Sequence, residues 1–229
     1  GFLPGTMFNF LSLLGWSAGD DEEVMTREQV IEKFSLDGLN AAPSIFDITK
    51  LEWMNGVYLR QLGVDALAEL LLPELEADDG LPASISRPLD KVFVTELVPL
   101  IHERLKVIDR TEVSEMLSYF FEEEIELDPA EVVQKGMDEA TTASALESAA
   151  ARLESAEPFE AEALEQKFRA LCEELELKPR QLFGALRVSL TARRVAPPLF
   201  DTMVAIGRDR SVDRVRRAAG LLSGTGARA

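Results

Sequence analysis

The sequence predicts an all-α protein, and three observations support this prediction. Leu, Ala and Glu dominate the composition while aromatic residues make up only 7% of the chain, a mixture that favours helices over strands. Apolar residues recur at helical spacing along most of the chain. No alternation of apolar and polar residues, which is the pattern of a strand, extends beyond four residues. With 229 residues, 46% of them hydrophobic, the chain can bury the core of one large domain or two ordinary ones.

The N-terminal third contains four predicted helices. Pro4 suits the first turn of the first helix, and Gly15 suits its end. Thr26, followed three residues later by Gln29, has the form of a capping box, which satisfies two backbone N–H groups at a helix start. The helices are predicted over residues 4–15, after Thr26, from residues 46–50 onward, and over residues 64–75.

Residues 76–90 form the clearest break in composition, because they combine acidic residues with Gly, Ser and Pro. We place a domain boundary there, between residues 80 and 81. Beyond it, apolar residues at helical spacing predict one long helix over residues 97–108, and Thr111 is predicted to cap the next. Later helices are predicted after Asp128-Pro129, over 141–153, over 159–175, from Lys178-Pro179, and from Ser211 to Gly220.

The net charge of −17 is unusual for a nucleic-acid-binding protein, but the charge is unevenly distributed. Residues 178–229 contain eleven Lys or Arg and three acids, a net charge of +8, which leaves −25 on residues 1–177. An acidic body would repel RNA wherever no contact is intended, and the basic end would bind it. A solubilising acidic surface with a merely basic end explains the charge equally well.

The residues that most often carry catalysis are scarce. The single histidine, His102, lies among apolar residues and is interpreted as structural, and no Cys-His cluster could bind zinc. The single cysteine, Cys172, excludes an internal disulfide and suits a reducing cytoplasm. No glycine loop for phosphate and no nucleophile elbow is present. Residues 2–16 are apolar but lack the features of a signal peptide, and no apolar stretch could span a membrane.

Two N-terminal segments contain specific motifs. GFLP at residues 1–4 is followed by NFLSLLGWS at residues 9–17, and FDITKLEWMN occupies residues 46–55. Together they resemble glutamyl-tRNA synthetases, class I enzymes that attach glutamate to tRNA with ATP. Weaker matches to the same family follow in the same order, at residues 115–121, 181–191, 197–199 and 206–207.

The resemblance implies a stem-contact helical domain at residues 1–80, followed by a helical anticodon-binding domain at residues 81–229. The second domain would have two parts, residues 81–140 and 141–229. Neither the His-x-Gly-His signature nor the Lys-Met-Ser-Lys loop of the family is present, so ATP and Mg²⁺ are expected to bind in a catalytic domain outside this chain. The chain is therefore expected to be a non-catalytic C-terminal half that holds no cofactor. Its expected partner is tRNA-Glu, and binding to DNA or to a membrane is not expected. The protein is expected to be a monomer in the cytoplasm.

The same resemblance implies which residues recognise the anticodon. Arg187 would contact the first anticodon base, and Thr191 and Leu199 would line the same pocket. Lys106 or Arg104 falls where the family recognises the third base, which leaves the use of tRNA-Gln open. On residue type alone, Arg187 could equally be a surface arginine, and Thr191 and Leu199 could be a cap and a core residue.

A second set of residues is implied to contact the tRNA stem or its backbone. Lys50 and Asn55 lie in the stem-contact motif, in which Trp53 is expected to pack against its own domain. Arg193 and Arg194 begin a cationic tail that would steer the anticodon arm or simply solvate the terminal helices. The other members of the tail are Arg208, Arg210, Arg214, Arg216 and Arg217.

The chain departs from the family pattern at two positions, and two other functions stay open. Ala185 replaces the usual proline and Ala192 the usual glycine, which puts the local turn geometry in question. One alternative function is a helical scaffold that docks proteins through residues 2–16. The other is a regulatory, tRNA-binding paralogue without catalysis.

Overall fold

In a computed structural model, which describes residues 1–19, 21–40 and 44–224, the regular elements are helices. The described residues contain no strand, only an isolated antiparallel bridge between Trp16 and Leu39. The prediction of an all-α fold is confirmed. The chain divides into an N-terminal unit, Gly1–Glu115, and a C-terminal unit, Met116–Ala229. The boundary predicted between residues 80 and 81, which would separate the stem-contact domain from the anticodon-binding domain, stays a prediction.

Among its described residues, the N-terminal unit contains five helices, a short 3-10 turn at Leu36–Gly38 and the start of a sixth helix. The side chains of Thr26, Asp47 and Asp90 cap three of these helices by accepting hydrogen bonds from backbone N–H groups of the first turn. The helices are α1 (Pro4–Gly15), α2 (Arg27–Lys33), α3 (Ile48–Gln61), α4 (Val64–Glu76), α5 (Lys91–Ile101) and α6 (Arg110–Phe121), the last of which extends into the C-terminal unit.

The apolar N-terminal segment is packed inside its own unit. Phe10 of α1 lies in one cluster with Leu51 and Met54 of α3. Trp16, which is 4% exposed, lies in a second cluster with Val30 of α2. The other apolar side chains of residues 2–16 are partly buried or, like Leu11 at 51%, exposed, so the scaffold hypothesis stays a prediction.

Up to residue 224, where the described part of the chain ends, the C-terminal unit contains the end of α6 and six further helices. Helices α8 and α12 form its most extensive pair, and α9 packs against α11 through the rings of Phe168 and Phe200, whose centroids are 5.9 Å apart. The helices are α7 (Pro129–Val132), α8 (Glu139–Glu154), α9 (Ala161–Glu174), α10 (Pro179–Thr191), α11 (Leu199–Ile206) and α12 (Arg208–Leu222).

Most predicted helix starts are confirmed in atomic detail. The Thr26 hydroxyl accepts from Gln29 N at 3.2 Å, and the Gln29 side chain accepts from Thr26 N at 2.7 Å, which is the predicted capping box. Asp128 caps α7 through Ala130 N at 2.9 Å, with Pro129 in the first turn as predicted.

Three predicted boundaries are wrong. The helix predicted over residues 97–108 ends at Ile101. Asp109, rather than Thr111, caps α6 by accepting from Thr111 N at 3.0 Å. Helix α12 begins at Arg208, directly after Gly207, whose φ of 89° ends the preceding helix, so that Ser211 lies inside α12 and is buried.

Asp138→Ala is expected to lower the thermal midpoint near neutral pH. At the start of α8, hydrogen bonds from the Thr141 side chain and from Thr141 N, the latter at 2.7 Å, hold the pKa of the Asp138 carboxyl below its usual value. A carboxyl with a lowered pKa stabilises the folded state above its unfolded pKa, and this contribution is lost as the pH falls through the folded pKa.

The midpoint difference between the native chain and Asp138→Ala should therefore shrink between about pH 7 and about pH 3. The control is Asp138→Asn, which keeps a capping oxygen but cannot titrate. A difference that stays constant over this pH range would show that the ionised cap contributes nothing.

Candidate functional site

Helix α10 carries the predicted recognition arginine and lies against the segment that follows α7. Gly184 of α10 faces Gln134, whose Oε1 would lie 2.5 Å from a Cβ at that position, so any larger residue would require the Gln134 side chain to move. The Gln181 side chain donates to the Gly136 carbonyl at 3.3 Å. We use the name α7–α10 surface for the outer side of α7, residues 133–138, α10 and the loop 192–198.

Arg187 is half-buried on α10, with its Nε atom enclosed by protein. It is thus neither enclosed in the core nor free to move as an exposed side chain would be. A guanidinium held at a partly desolvated position keeps a defined direction and forms stronger hydrogen bonds to a ligand than a fully solvated one.

The C-terminal turn of α10 is closed by Thr191. Its hydroxyl donates to the Arg187 carbonyl at 2.7 Å and accepts from Arg193 N at 3.2 Å, and the residue is only 2% exposed. Ala192 then adopts the left-handed conformation with φ of 54°. Alanine at this position costs about 1–2 kcal/mol relative to glycine but forms the same turn. The departure at Ala192 therefore leaves the turn intact, and Thr191 acts as a cap that holds the backbone of Arg187.

The predicted apolar contact at Leu199 is not presented to solvent. Leu199 is 5% exposed at the start of α11, next to the packed rings of Phe200 and Phe183. In the same loop, Val195 is 79% exposed. Val195 is therefore a large apolar side chain that this loop exposes, and no spacing or motif in the sequence had indicated it.

The cations of α12 are used inside the protein, in contrast to the predicted cationic tail. Arg210 and Arg214 donate to backbone carbonyls, and the others form ion pairs with acids of the same unit. The ion pairs are Arg208–Glu157 at 2.8 Å, Arg216–Glu154 at 2.7 Å and Arg217–Glu124 at 2.8 Å. Residue type alone predicted a free basic surface. The acids that pair with these arginines lie 51 to 93 residues away in the sequence, so no local pattern indicated them.

The α7–α10 surface contains three cations that have no acidic partner among the described residues. Within the described residues, Lys135, Arg180 and Arg193 form no ion pair with a carboxylate, whereas Arg194 is paired with Glu131. Arg180 lies seven residues before Arg187, which places the two arginines on one side of α10 about 10 Å apart along the axis. Lys135 and Arg180 were not among the predicted site residues, although the basic start of α10 was visible in the sequence.

In the N-terminal unit, Lys50 and Asn55 have partners within the protein. Lys50 Nζ lies 2.5 Å from a carboxylate oxygen of Glu23 at the surface. Asn55 is buried, and its side chain accepts from Leu3 N at 2.8 Å and donates to the Lys106 carbonyl at 2.7 Å. Because both polar atoms of Asn55 are used internally, this placement does not support the predicted RNA contact.

The other predicted residues of this unit are exposed. Lys106 and Arg104 lie in the irregular segment after α5. Burial and nearby carboxylates raise the pKa of Glu112, and the positive charge of Lys106 partly offsets this rise. Trp53 is 46% exposed, and the expectation that it packs against its own domain stays a prediction. These residues lie in a different unit from Arg187, and each unit carries its own part of the predicted site.

The groups that most often perform chemistry have structural surroundings here. His102 Nε2 lies 3.1 Å from the Leu59 carbonyl, and burial raises the pKa of the Cys172 thiol. Among the described residues, no group of three His, Cys, Asp or Glu side chains is arranged to hold a metal ion. In the same residues, no helix combines the length and the hydropathy needed to cross a bilayer.

Two family models match the sequence. One, described as an anticodon binding domain, covers residues 66–219. The other, described as the catalytic domain of class I tRNA synthetases (E and Q), covers residues 1–53.

Relatives named glutamate–tRNA ligase match along nearly the whole chain. That of Roseiflexus sp. (strain RS-1) is 47% identical over 97% of this chain and 44% of its own length. That of Paenarthrobacter aurescens (strain TC1) is 37% identical over 96% of this chain and 43% of its own length. The chain thus spans less than half the length of the curated relatives it matches.

Solved structures show the same fold. The crystal structure of a glutamate tRNA ligase from Elizabethkingia meningosepticum matches 97% of this chain and 42% of its own, with a TM-score of 0.81 and 22% identity. A glutamate–tRNA synthetase from Elizabethkingia anophelis matches with a TM-score of 0.76, also at 22% identity. At this identity the likeness concerns the fold alone.

Proposed function

The chain belongs to the anticodon-binding domain family, and we propose that it is the tRNA-binding portion of a glutamate–tRNA ligase, without a catalytic site of its own. The observation that carries this proposal is the α7–α10 surface. There a half-buried arginine lies beside cations that no carboxylate of the described residues neutralises. The rest of the chain is strongly acidic.

This combination suits single-stranded RNA at an anticodon. Bases in a loop are unstacked, so a planar guanidinium can form paired hydrogen bonds to a base edge. Flexible cations such as Lys135 and Arg180 would contact phosphates, which position the RNA without identifying its bases. The exposed Val195 would pack against a base, the task that the resemblance assigned to Leu199. We accordingly assign base recognition to Arg187 and capping to Thr191.

The acidic surface of the chain has a consequence for specificity. Residues 1–177 carry a net charge of −25, so RNA is repelled from most of the protein. Binding is then confined to patches where cations outnumber acids, and it is expected to weaken as salt rises.

The proposal includes contacts of the N-terminal unit. Lys106, with Arg104 beside it, is proposed to lie at the third anticodon base, and Lys50 is proposed to contact the tRNA stem by exchanging Glu23 for a phosphate. ATP and Mg²⁺ would be bound by a catalytic portion that contains the His-x-Gly-His and Lys-Met-Ser-Lys signatures, which are absent from residues 1–229.

Arg187→Ala is expected to weaken binding of tRNA-Glu by about 1–3 kcal/mol, which corresponds to a roughly 5- to 150-fold rise in Kd. The physical reason is the loss of paired hydrogen bonds to a base edge, which water does not replace in the same geometry. The measurement is a titration of the chain with tRNA-Glu, tRNA-Gln and a non-cognate tRNA at one fixed ionic strength. The discrimination between tRNA-Glu and the non-cognate tRNA should fall together with the affinity.

The matched control is Arg216→Ala. This substitution also removes one positive charge, but from an exposed arginine of α12 that is paired with Glu154. It should change the Kd for tRNA-Glu less than twofold, because Arg216 does not belong to the α7–α10 surface as defined and its charge is already paired with a carboxylate. The proposal is wrong if Arg216→Ala weakens binding while Arg187→Ala binds as the native chain does.

A further inference from the structure

One arginine of α12, Arg214, is buried in the C-terminal unit at 3% exposure. Its guanidinium donates to three backbone carbonyl oxygens, those of Leu190 at 2.5 Å, Tyr119 at 2.8 Å and Glu122 at 2.5 Å. Leu190 lies in the last turn of α10, Tyr119 lies in the last turn of α6, and Glu122 directly follows α6. A single side chain therefore joins the C-terminal ends of two helices.

The chemistry of a helix end explains why an arginine occupies this position. The last four carbonyls of a helix have no partner within the helix and carry the negative end of its dipole. A guanidinium has five N–H donors in a rigid plane, so it can donate to carbonyls of two helices at once. A lysine ammonium has three donors on one nitrogen and cannot reproduce this arrangement of hydrogen bonds. Burial lowers the pKa of Arg214 to about 10, and the group stays charged near neutral pH.

The turn that Arg214 holds is the turn that carries Arg187. Leu190 is three residues after Arg187 on α10. The Arg187 carbonyl is bonded by the Thr191 hydroxyl at 2.7 Å, and the same hydroxyl accepts from Arg193 N at 3.2 Å. The end of α10 is thus fixed from within by Thr191 and from the core side by Arg214.

We propose that Arg214 is a positioning residue for base recognition, which fixes the last turn of α10 and thereby the direction of the Arg187 guanidinium. The proposal rests on the proposed function, in which Arg187 contacts an anticodon base. Arg214 itself is buried and touches no RNA. Its effect on recognition would pass through the backbone of one helical turn.

A neighbouring arginine provides the comparison. Arg210 Nη1 donates to the Phe120 carbonyl at 2.9 Å and its Nε to the Ile206 carbonyl at 3.2 Å, so it also bonds the end of α6. No hydrogen bond of the described structure joins Arg210 to α10. Arg210→Lys therefore disturbs the same end of α6 as Arg214→Lys but leaves the turn of Arg187 untouched.

The test measures Kd for tRNA-Glu and for the same tRNA with its first anticodon base replaced, together with the thermal midpoint of each variant. Arg214→Lys should lower the ratio of the two affinities roughly three- to tenfold, while the affinity for the substituted tRNA changes less than twofold. In an Arg187→Ala background, Arg214→Lys should produce no further loss of the ratio. Arg210→Lys should leave the ratio unchanged.

Thr191→Val provides a second variant in case Arg214→Lys fails to fold. It removes the hydroxyl that holds the same turn but leaves Arg214 in place, so it should also lower the affinity ratio. A native ratio in a folded Arg214→Lys chain, or equal losses for both tRNAs, would overturn the positioning role and leave Arg187 as the recognition residue. If the Arg214 variant does not fold, a native ratio in Thr191→Val overturns it. A native ratio in Arg187→Ala would instead overturn the proposed function together with this inference.

Discussion

Phe168→Ala is expected to lower the free energy of unfolding by about 3–5 kcal/mol. The Phe168 ring is fully buried on α9 and packs against Phe200 of α11. Its removal would leave a cavity in the C-terminal unit, and surrounding side chains refill such cavities only in part. Urea unfolding followed by circular dichroism measures this change.

Gln166→Ala is the control for this substitution. Gln166 lies two residues away on the same helix but is exposed, so its loss should change the unfolding free energy by no more than about 0.5 kcal/mol. A loss below about 1 kcal/mol for Phe168→Ala would contradict the packing of α9 against α11.

Asn55→Ala is expected to destabilise the chain by about 2–3 kcal/mol, rather than to weaken RNA binding directly. The Asn55 side chain bonds Leu3 N and the Lys106 carbonyl, which are 52 and 51 residues away in the sequence. Alanine would leave both partly buried backbone groups without this partner. Chemical denaturation gives the stability change, and a titration with tRNA-Glu below the unfolding transition gives the affinity.

Lys50→Ala on the same helix has the opposite expected profile. The exposed ion pair of Lys50 with Glu23 should contribute no more than about 1 kcal/mol to stability, whereas a lost phosphate contact would raise Kd and reduce its salt dependence. If Asn55→Ala kept native stability and bound tRNA-Glu weakly, Asn55 would be an RNA contact after all.

Local signals in the sequence predicted the helices well. The capping box at Thr26 and the Asp128-Pro129 start depend on residues within three positions of each other, and both were confirmed. The errors arose where a local pattern had two explanations. Leu105 continues the apolar spacing of α5 and is buried, but it lies in the irregular segment after Ile101 and not in the helix. Spacing indicates which residues face the core and does not by itself indicate where the helix ends.

The candidate site was predicted less completely than the fold. The motif around Arg187 pointed to α10, where the structure places this arginine at a half-buried position, and its recognition role stays a prediction. The motif also indicated Leu199, which the structure buries, and missed the exposed Val195 in the same loop. A motif assigns residue types to positions, whereas the exposure of each side chain depends on the elements that pack around it.

The sequence by itself determined the all-α fold class, the order of most helices and the family, because helical periodicity, caps and motifs are properties of neighbouring residues. Only the tertiary structure decided which charged side chains are available to a ligand. Arg214 finds a carbonyl 95 residues away at Tyr119, and Arg217 finds Glu124 at a separation of 93 residues. A long cationic side chain forms hydrogen bonds or ion pairs with the acceptors that the fold brings within its reach. Arginines of α12 therefore bond acceptors of the protein itself, whereas arginines of α10 belong to the candidate RNA-binding surface.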